Sequence, residues 1–285
     1  MDDRMPELLY HYTDGYALAS IVSSGCLWAS DPLFLNDSRE LVSGQERLLE
    51  YIERPRQSGS RIERIFDQLS KGLKALAYDV VDSVDRFVPG QLHVYVTCFC
   101  ENGDLLSQWR SYGSGGYAIG FDRTKLSEHV QFPKAPQIKE GQILDWLPSS
   151  LVRVVYDVTD IAKHVDGINL YRHSKHSQWM AENHSAIRAL EALASIKDAG
   201  FREEREWRLT FVRPPKLKDC EVKFRQGASS LVPYIELQVP DGAVREIVVG
   251  PGDNREVQVM AVQRLLEEKG LDAKVKLSGV PYRGV

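Results

Sequence analysis

The stretch Glu206-Trp207-Arg208-Leu209-Thr210-Phe211 alternates polar and large apolar side chains without a break. Successive side chains of a strand point to opposite faces, so this period of two predicts a β-strand with an apolar face turned to a core. Glu204, Glu206 and Arg208 then share the opposite face, where two carboxylates and a guanidinium stand at two-residue spacing. That face is either a solvated sheet surface laced by ion pairs or the floor of a cleft for a hydroxyl-rich or cationic ligand. The spacing alone leaves both open.

Strand-like segments gather in two runs. The first comprises Leu8 to Thr13, Leu27 to Ser30, Leu92 to Cys100 and Tyr117 to Phe121. The second comprises Leu151 to Asp157, Arg205 to Arg213, Glu221 to Arg225, Val232 to Val239, Arg245 to Val249 and Lys274 to Ser278. Helices are predicted over Tyr16 to Ser24, with Asp14 as N-cap and Gly25 as stop. Others follow Asp104 and span Asn254 to Lys269, closed by Gly270. Two further helical regions are expected near residues 38–90 and 159–200. Regular β-α-β alternation is missing, so the fold class is α+β, with a split, mostly antiparallel or mixed sheet and inserted helices. The 285 residues carry no repeat and no clear linker and read as one α+β domain.

Composition narrows the classes of function. A 43% hydrophobic, 27% charged chain with net charge −4 is globular and carries no general basic excess for nucleic acid, although a local patch stays open. No apolar run reaches the length of a membrane span, and Met1-Asp2-Asp3-Arg4 does not begin a signal peptide. Cys26, Cys98, Cys100 and Cys220 lack metal-knuckle spacing, and Cys98 and Cys100 are expected to stay unpaired. A cytoplasmic location is therefore expected. His173 and His184 are about 16 Å apart along a helix, too far to share a metal, and no metal site is expected. Asp198 with Glu221-Val222-Lys223 offers a metal-dependent nuclease pattern, carried by a common tripeptide.

Short motifs follow in a distinctive order. They are Leu9-Tyr10-His11-Tyr12-Thr13, Leu27-Trp28-Ala29-Ser30, and Leu35-Asn36-Asp37 with Glu40. Cys98-Phe99-Cys100, Leu106-Ser107-Gln108-Trp109-Arg110-Ser111-Tyr112-Gly113 and Gly120-Phe121 come next. Lys197, Phe201, Glu204-Arg205-Glu206-Trp207-Arg208, Ile247-Val248-Val249-Gly250-Pro251, and Ser278 with Pro281-Tyr282-Arg283 complete the series. In this order they resemble a bacterial family catalogued as domain of unknown function 2971, with Cys100 standing where that family often has serine. More loosely, the His-Tyr-Thr strand, the following helix and the short strand after it resemble the opening of ADP-ribosyltransferases.

The second resemblance implies an enzyme that uses NAD to modify a nucleic acid or protein acceptor, as a toxin or in phage defence. It places His11 with Glu206 or Glu204 at the reacting sugar. Tyr12, Thr13, Trp109, Arg110, Tyr112 and Arg208 would contact the dinucleotide, with Trp109 or Tyr112 stacking on nicotinamide. The chemistry suits these residue types. A fixed carboxylate stabilises positive charge building on the ribose as the glycosidic bond breaks. A guanidinium fits a pyrophosphate, and an aromatic ring stacks on a flat cation. The alternative reading is a catalytically silent binding module, in which internal salt bridges close the polar face of Glu204, Glu206 and Arg208.

Overall fold

The computed structural model describes residues 5–34, 48–51, 70, 93–112, 116–129, 150–157, 160, 189–213, 220–227 and 230–281. Its strands are β1 (Leu8–Thr13), β2 (Cys26–Ser30), β3 (His93–Cys100), β4 (Tyr117–Asp122), β5 (Ser150–Arg153), β6 (Glu206–Arg213), β7 (Lys223–Gln226), β8 (Leu231–Gln238), β9 (Val244–Val249) and β10 (Lys274–Leu277). Among the described residues they are accompanied by the helices α1 (Gly15–Ser24), α2 (Leu106–Tyr112), α3 (Arg123–His129) and α4 (Arg255–Lys269). The fold is α+β, built on a ten-stranded open sheet in which, among the described residues, the strand pairs are antiparallel apart from β9–β10. Most of the expected region 38–90, and residues 161–188 of the second helical region, lie outside the described residues. So do the strand-loop motif Asn36, Asp37 and Glu40 and the side chain of Tyr112.

Local chemistry sets the first crossover. Asp14 accepts a hydrogen bond from the Ala17 amide at 2.7 Å and so caps α1. Gly25, at φ 66°, ends the helix in a left-handed turn that only a residue without Cβ adopts freely. The apolar stripe of Leu18, Ile21 and Val22 then packs on the sheet.

The main core lies on one sheet face. There Leu9, Leu27, Phe99, Phe121, Trp207, Leu209 and Ile235 meet α1 and the Val262 and Leu266 side of α4. The alternate residues of the same strands face the other way, where Tyr12, Cys100, Ala118 and Val248 gather round Trp109.

The strand order is β10-β9-β4-β1-β3-β2-β8-β7, with β6 also on β3 and β5 on β6. Strand β6 occupies one whole edge of β3, from His93↔Arg213 to Cys100↔Glu206. Strands β1 and β2 therefore share the other edge. They touch β3 at separate places, Tyr10↔Cys100 and Ser30↔Val96. Both run antiparallel to β3, hence parallel to each other, and they splay apart. The edge of β3 at Thr97, Cys98 and Phe99 faces the fork between them. One side of the fork continues as β1-β4-β9-β10 and the other as β2-β8-β7.

Candidate functional site

The strand expected over Arg205 to Arg213 forms, but its polar face is neither solvated nor a cleft floor. Glu206, Trp207, Arg208, Leu209 and Thr210 are all buried. Strand β5 pairs along the free edge of β6, and Ala194 and Lys197 reach over the face that alternation assigned to polar residues. Glu204 departs from the expectation as well. It ends the 3-10 helix Ala199–Glu204, and Arg205, at φ 42°, switches the chain into the strand.

These residues form one closed ionic cluster. Arg208 donates from Nε to Glu206 Oε1 at 2.7 Å and from Nη2 to Oε2 at 3.3 Å. Lys197 Nζ donates to Glu206 Oε2 at 2.9 Å and to Glu204 Oε2 at 2.7 Å. Arg208 Nη1 reaches the Ala194 carbonyl at 2.8 Å. The Cys98 thiol lies beside the Glu206 carboxylate. Burial alone would raise the Glu206 pKa. The charges of Arg208 and Lys197 outweigh that and hold it at about 2. A buried carboxylate with both oxygens taken is an ion-pair anchor. Lys197 is the residue whose role alternation could not reveal, since it reaches the cluster from outside the strand.

His11 sits at the fork. Its Nδ1 lies 2.9 Å from the Cys98 carbonyl oxygen. A carbonyl only accepts, so Nδ1 carries the hydrogen and Nε2 presents a lone pair. The ring packs against Phe99 with centroids 5.9 Å apart. Burial lowers the His11 pKa, partly opposed by the Cys98 bond, and the charge of Arg225 lowers it further, so the imidazole is neutral at pH 7. Cys98 thus lies beside two of the expected site residues, which stand on opposite sheet faces: Glu206 shares the face of Tyr10 and Cys100, and His11 lies with Leu9 and Phe99 on the other.

The other expected contacts divide. Tyr12 is buried, accepting from the Leu105 amide and donating to the Asn102 carbonyl. Trp109 is fully buried, edge-on to Tyr12 at 4.7 Å, and its Nε1 donates to Asp104 Oδ1 at 2.8 Å. Both rings are built into the second core. Arg110 is exposed on α2, Thr13 is buried at the end of β1, and Arg208 belongs to the closed cluster.

For the nuclease pattern, Asp198 accepts from the Gly200 amide as a cap, Glu221 is exposed, and Lys223 pairs with Glu236 at 2.8 Å. Among the described residues no three His, Cys, Asp or Glu side chains gather as metal ligands, and no helix is long and apolar enough to cross a membrane.

Sequence reasoning passed over the β2-β8-β7 side of the fork. Trp28 and Ser30 alternate with the core residues Leu27 and Ala29 and so face away from the main core. Ser30 pairs with Tyr234 in register, and the Trp28 and Tyr234 rings lie 4.7 Å apart. Arg225, two residues beyond Lys223 on β7, donates from Nη2 to Ser30 Oγ at 3.3 Å. Three distant strands supply these groups. The visible signal was the pair Trp28 and Ser30, both polar or amphipathic at a spacing of two.

Residues 108–209 match a family described as Protein of unknown function (DUF2971). The match takes in α2 from Gln108 onward, β4, α3, β5 and the Lys197, Glu204, Glu206 and Arg208 cluster. No curated protein and no solved structure matches the chain.

Proposed function

We propose that the chain is a split-sheet protein of the ADP-ribosyltransferase type that binds NAD at the fork between β1 and β2. The observation that carries this reading is His11. A neutral imidazole, oriented by a backbone carbonyl of β3, stands where two strands diverge from a common neighbour. Its Nε2 lone pair suits a ribose hydroxyl, which needs an acceptor held in place.

In the transfer, the bond between the ribose C1′ and the nicotinamide nitrogen breaks, and nicotinamide leaves with the electron pair. A new bond forms from C1′ to a nucleophile of the nucleic acid or protein acceptor, whose proton passes to solvent. Positive charge on the sugar calls for a carboxylate. Of the two expected carboxylates Glu204 is the more accessible, although it joins Glu206 on the sheet face opposite His11. Its side chain is 16% exposed, and among the described residues only its Oε2 is engaged, by Lys197. Glu206 then serves as a positioning residue that fixes Lys197 beneath it.

The closed Glu206 cluster favours a second reading, a module that binds the nucleotide without turning it over. One experiment addresses both. NAD is titrated calorimetrically into the full chain, and nicotinamide release is followed with and without a cell extract. Transfer requires NAD binding, weakened roughly tenfold or more in His11→Ala, and nicotinamide release lost in Glu204→Gln. Binding without release supports the silent module. A parent protein that does not bind NAD ends both.

A further inference from the structure

The guanidinium of Arg225 is partly buried on β7, and its one hydrogen bond among the described residues is the 3.3 Å contact to the Ser30 hydroxyl. That is unusual company for a half-desolvated cation. Neighbouring Lys223 has a carboxylate, Glu236, at 2.8 Å, and the buried Arg208 has Glu206 at 2.7 Å. Arg225 has no carboxylate within ion-pair distance among the described residues. A neutral serine leaves most of its five donors unused.

Aromatic and hydroxyl groups surround Arg225. Tyr234 lies opposite Ser30 in register and stacks near Trp28, which is partly exposed. The Tyr234 hydroxyl makes no hydrogen bond among the described residues, and Tyr16 at the start of α1 is 77% exposed. The charge of Arg225 is felt at the His11 imidazole.

We infer that Arg225, backed by Ser30 and flanked by the Trp28 and Tyr234 rings, is an anion subsite for the phosphate groups of a nucleotide. Planar guanidinium geometry matches two phosphate oxygens at once, and charge-assisted bonds of this kind are about twice as strong as neutral ones. The Trp28 and Tyr234 rings offer apolar surface for a base beside it. This assignment relies on the NAD reading for the identity of the whole ligand, but the subsite itself requires only phosphate.

The test uses the full chain and three probes: NAD, adenosine and inorganic pyrophosphate. In Arg225→Gln, affinity for NAD and for pyrophosphate is expected to fall roughly 10- to 100-fold, the size of a lost charged hydrogen bond, while adenosine is unaffected. Pyrophosphate is expected to compete with NAD in the parent. If the parent binds pyrophosphate through Arg225 but does not bind NAD, the subsite stands and the NAD reading falls. If the phosphate-bearing probes bind parent and variant alike, or pyrophosphate does not bind the parent, the subsite is overturned. Thermal melts check that Arg225→Gln is folded. Where it is not, Arg225→Lys decides. It keeps the charge and loses the fork, so it should weaken pyrophosphate by a smaller factor, and an unchanged affinity counts against the assignment.

Discussion

Replacing Glu206 with glutamine tests the closed cluster most directly. The substitution keeps the shape and removes one charge from between Lys197 and Arg208, whose side chains are 6% and 5% exposed. Lys197 would keep its ion pair with Glu204 and Arg208 its bond to the Ala194 carbonyl, but the charge between them would be gone. Removing one member of a buried ion pair typically costs about 3–5 kcal/mol, because the partner stays desolvated and unpaired.

The shifted Glu206 pKa gives a second figure for the same interaction. The Glu206 pKa falls from its ordinary 4.5 to about 2, which corresponds to roughly 3 kcal/mol of stability. The sign is fixed by the direction of the shift. The folded protein binds this proton less tightly than the unfolded chain, so the contribution is complete above pH 4.5. It is lost as pH falls through about 2. Urea unfolding of parent and Glu206→Gln across a pH series therefore has a defined outcome. The gap should be about 3–5 kcal/mol at pH 7 and should narrow steadily below pH 4.5, as the parent's carboxyl becomes neutral like the amide. Equal stability at pH 7, or a gap that stays constant with acid, would refute the account of a charge-locked anchor.

Two further predictions concern the rings first suggested as ligand contacts. The His11 imidazole should titrate below its ordinary 6.5 in a proton NMR pH series, because burial and the Arg225 charge both oppose protonation. The same shift makes His11 favour the fold above pH 6.5, with that contribution fading as acid drives the proton on. Trp109→Ala should lower stability by roughly 3–5 kcal/mol through a cavity in the second core and loss of the bond to Asp104. A ring that served only to stack on a ligand would instead leave the unfolding midpoint where it was.

Much of the scaffold is legible in the sequence because its signals are local. Asp14 and Gly25 bracket α1 as their chemistry predicts, and Gly270 closes α4 in a left-handed turn. The period of two brings out β1, β3, β6 and β9 to within a residue or so of their ends. Helix α3, seven residues long, escapes notice because Arg123–His129 has Leu126 as its only apolar side chain. Strand β5 ends at Arg153, sooner than its apolar run suggests.

The site is another matter. Alternation shows that Glu206 and Arg208 share a face but not what covers it, and the cover comes from Lys197 and Ala194, which precede the strand. Trp109 and Tyr12 read in the sequence as ligand contacts, but they touch each other inside the second core. Arg225 and Ser30 are 195 positions apart. Only the pairing of β2 with β8 and of β8 with β7 brings them together.

The strand order also bears on how the protein can be cut. The stretch that matches the family, residues 108–209, contains β4 but neither of the neighbours that flank it, β1 and β9. It holds the start of β6 without β3, the strand alongside it. Expressed by itself, such a fragment would present raw sheet edges and half of each hydrophobic layer to water, inviting self-association. Biochemistry on this chain calls for the whole polypeptide.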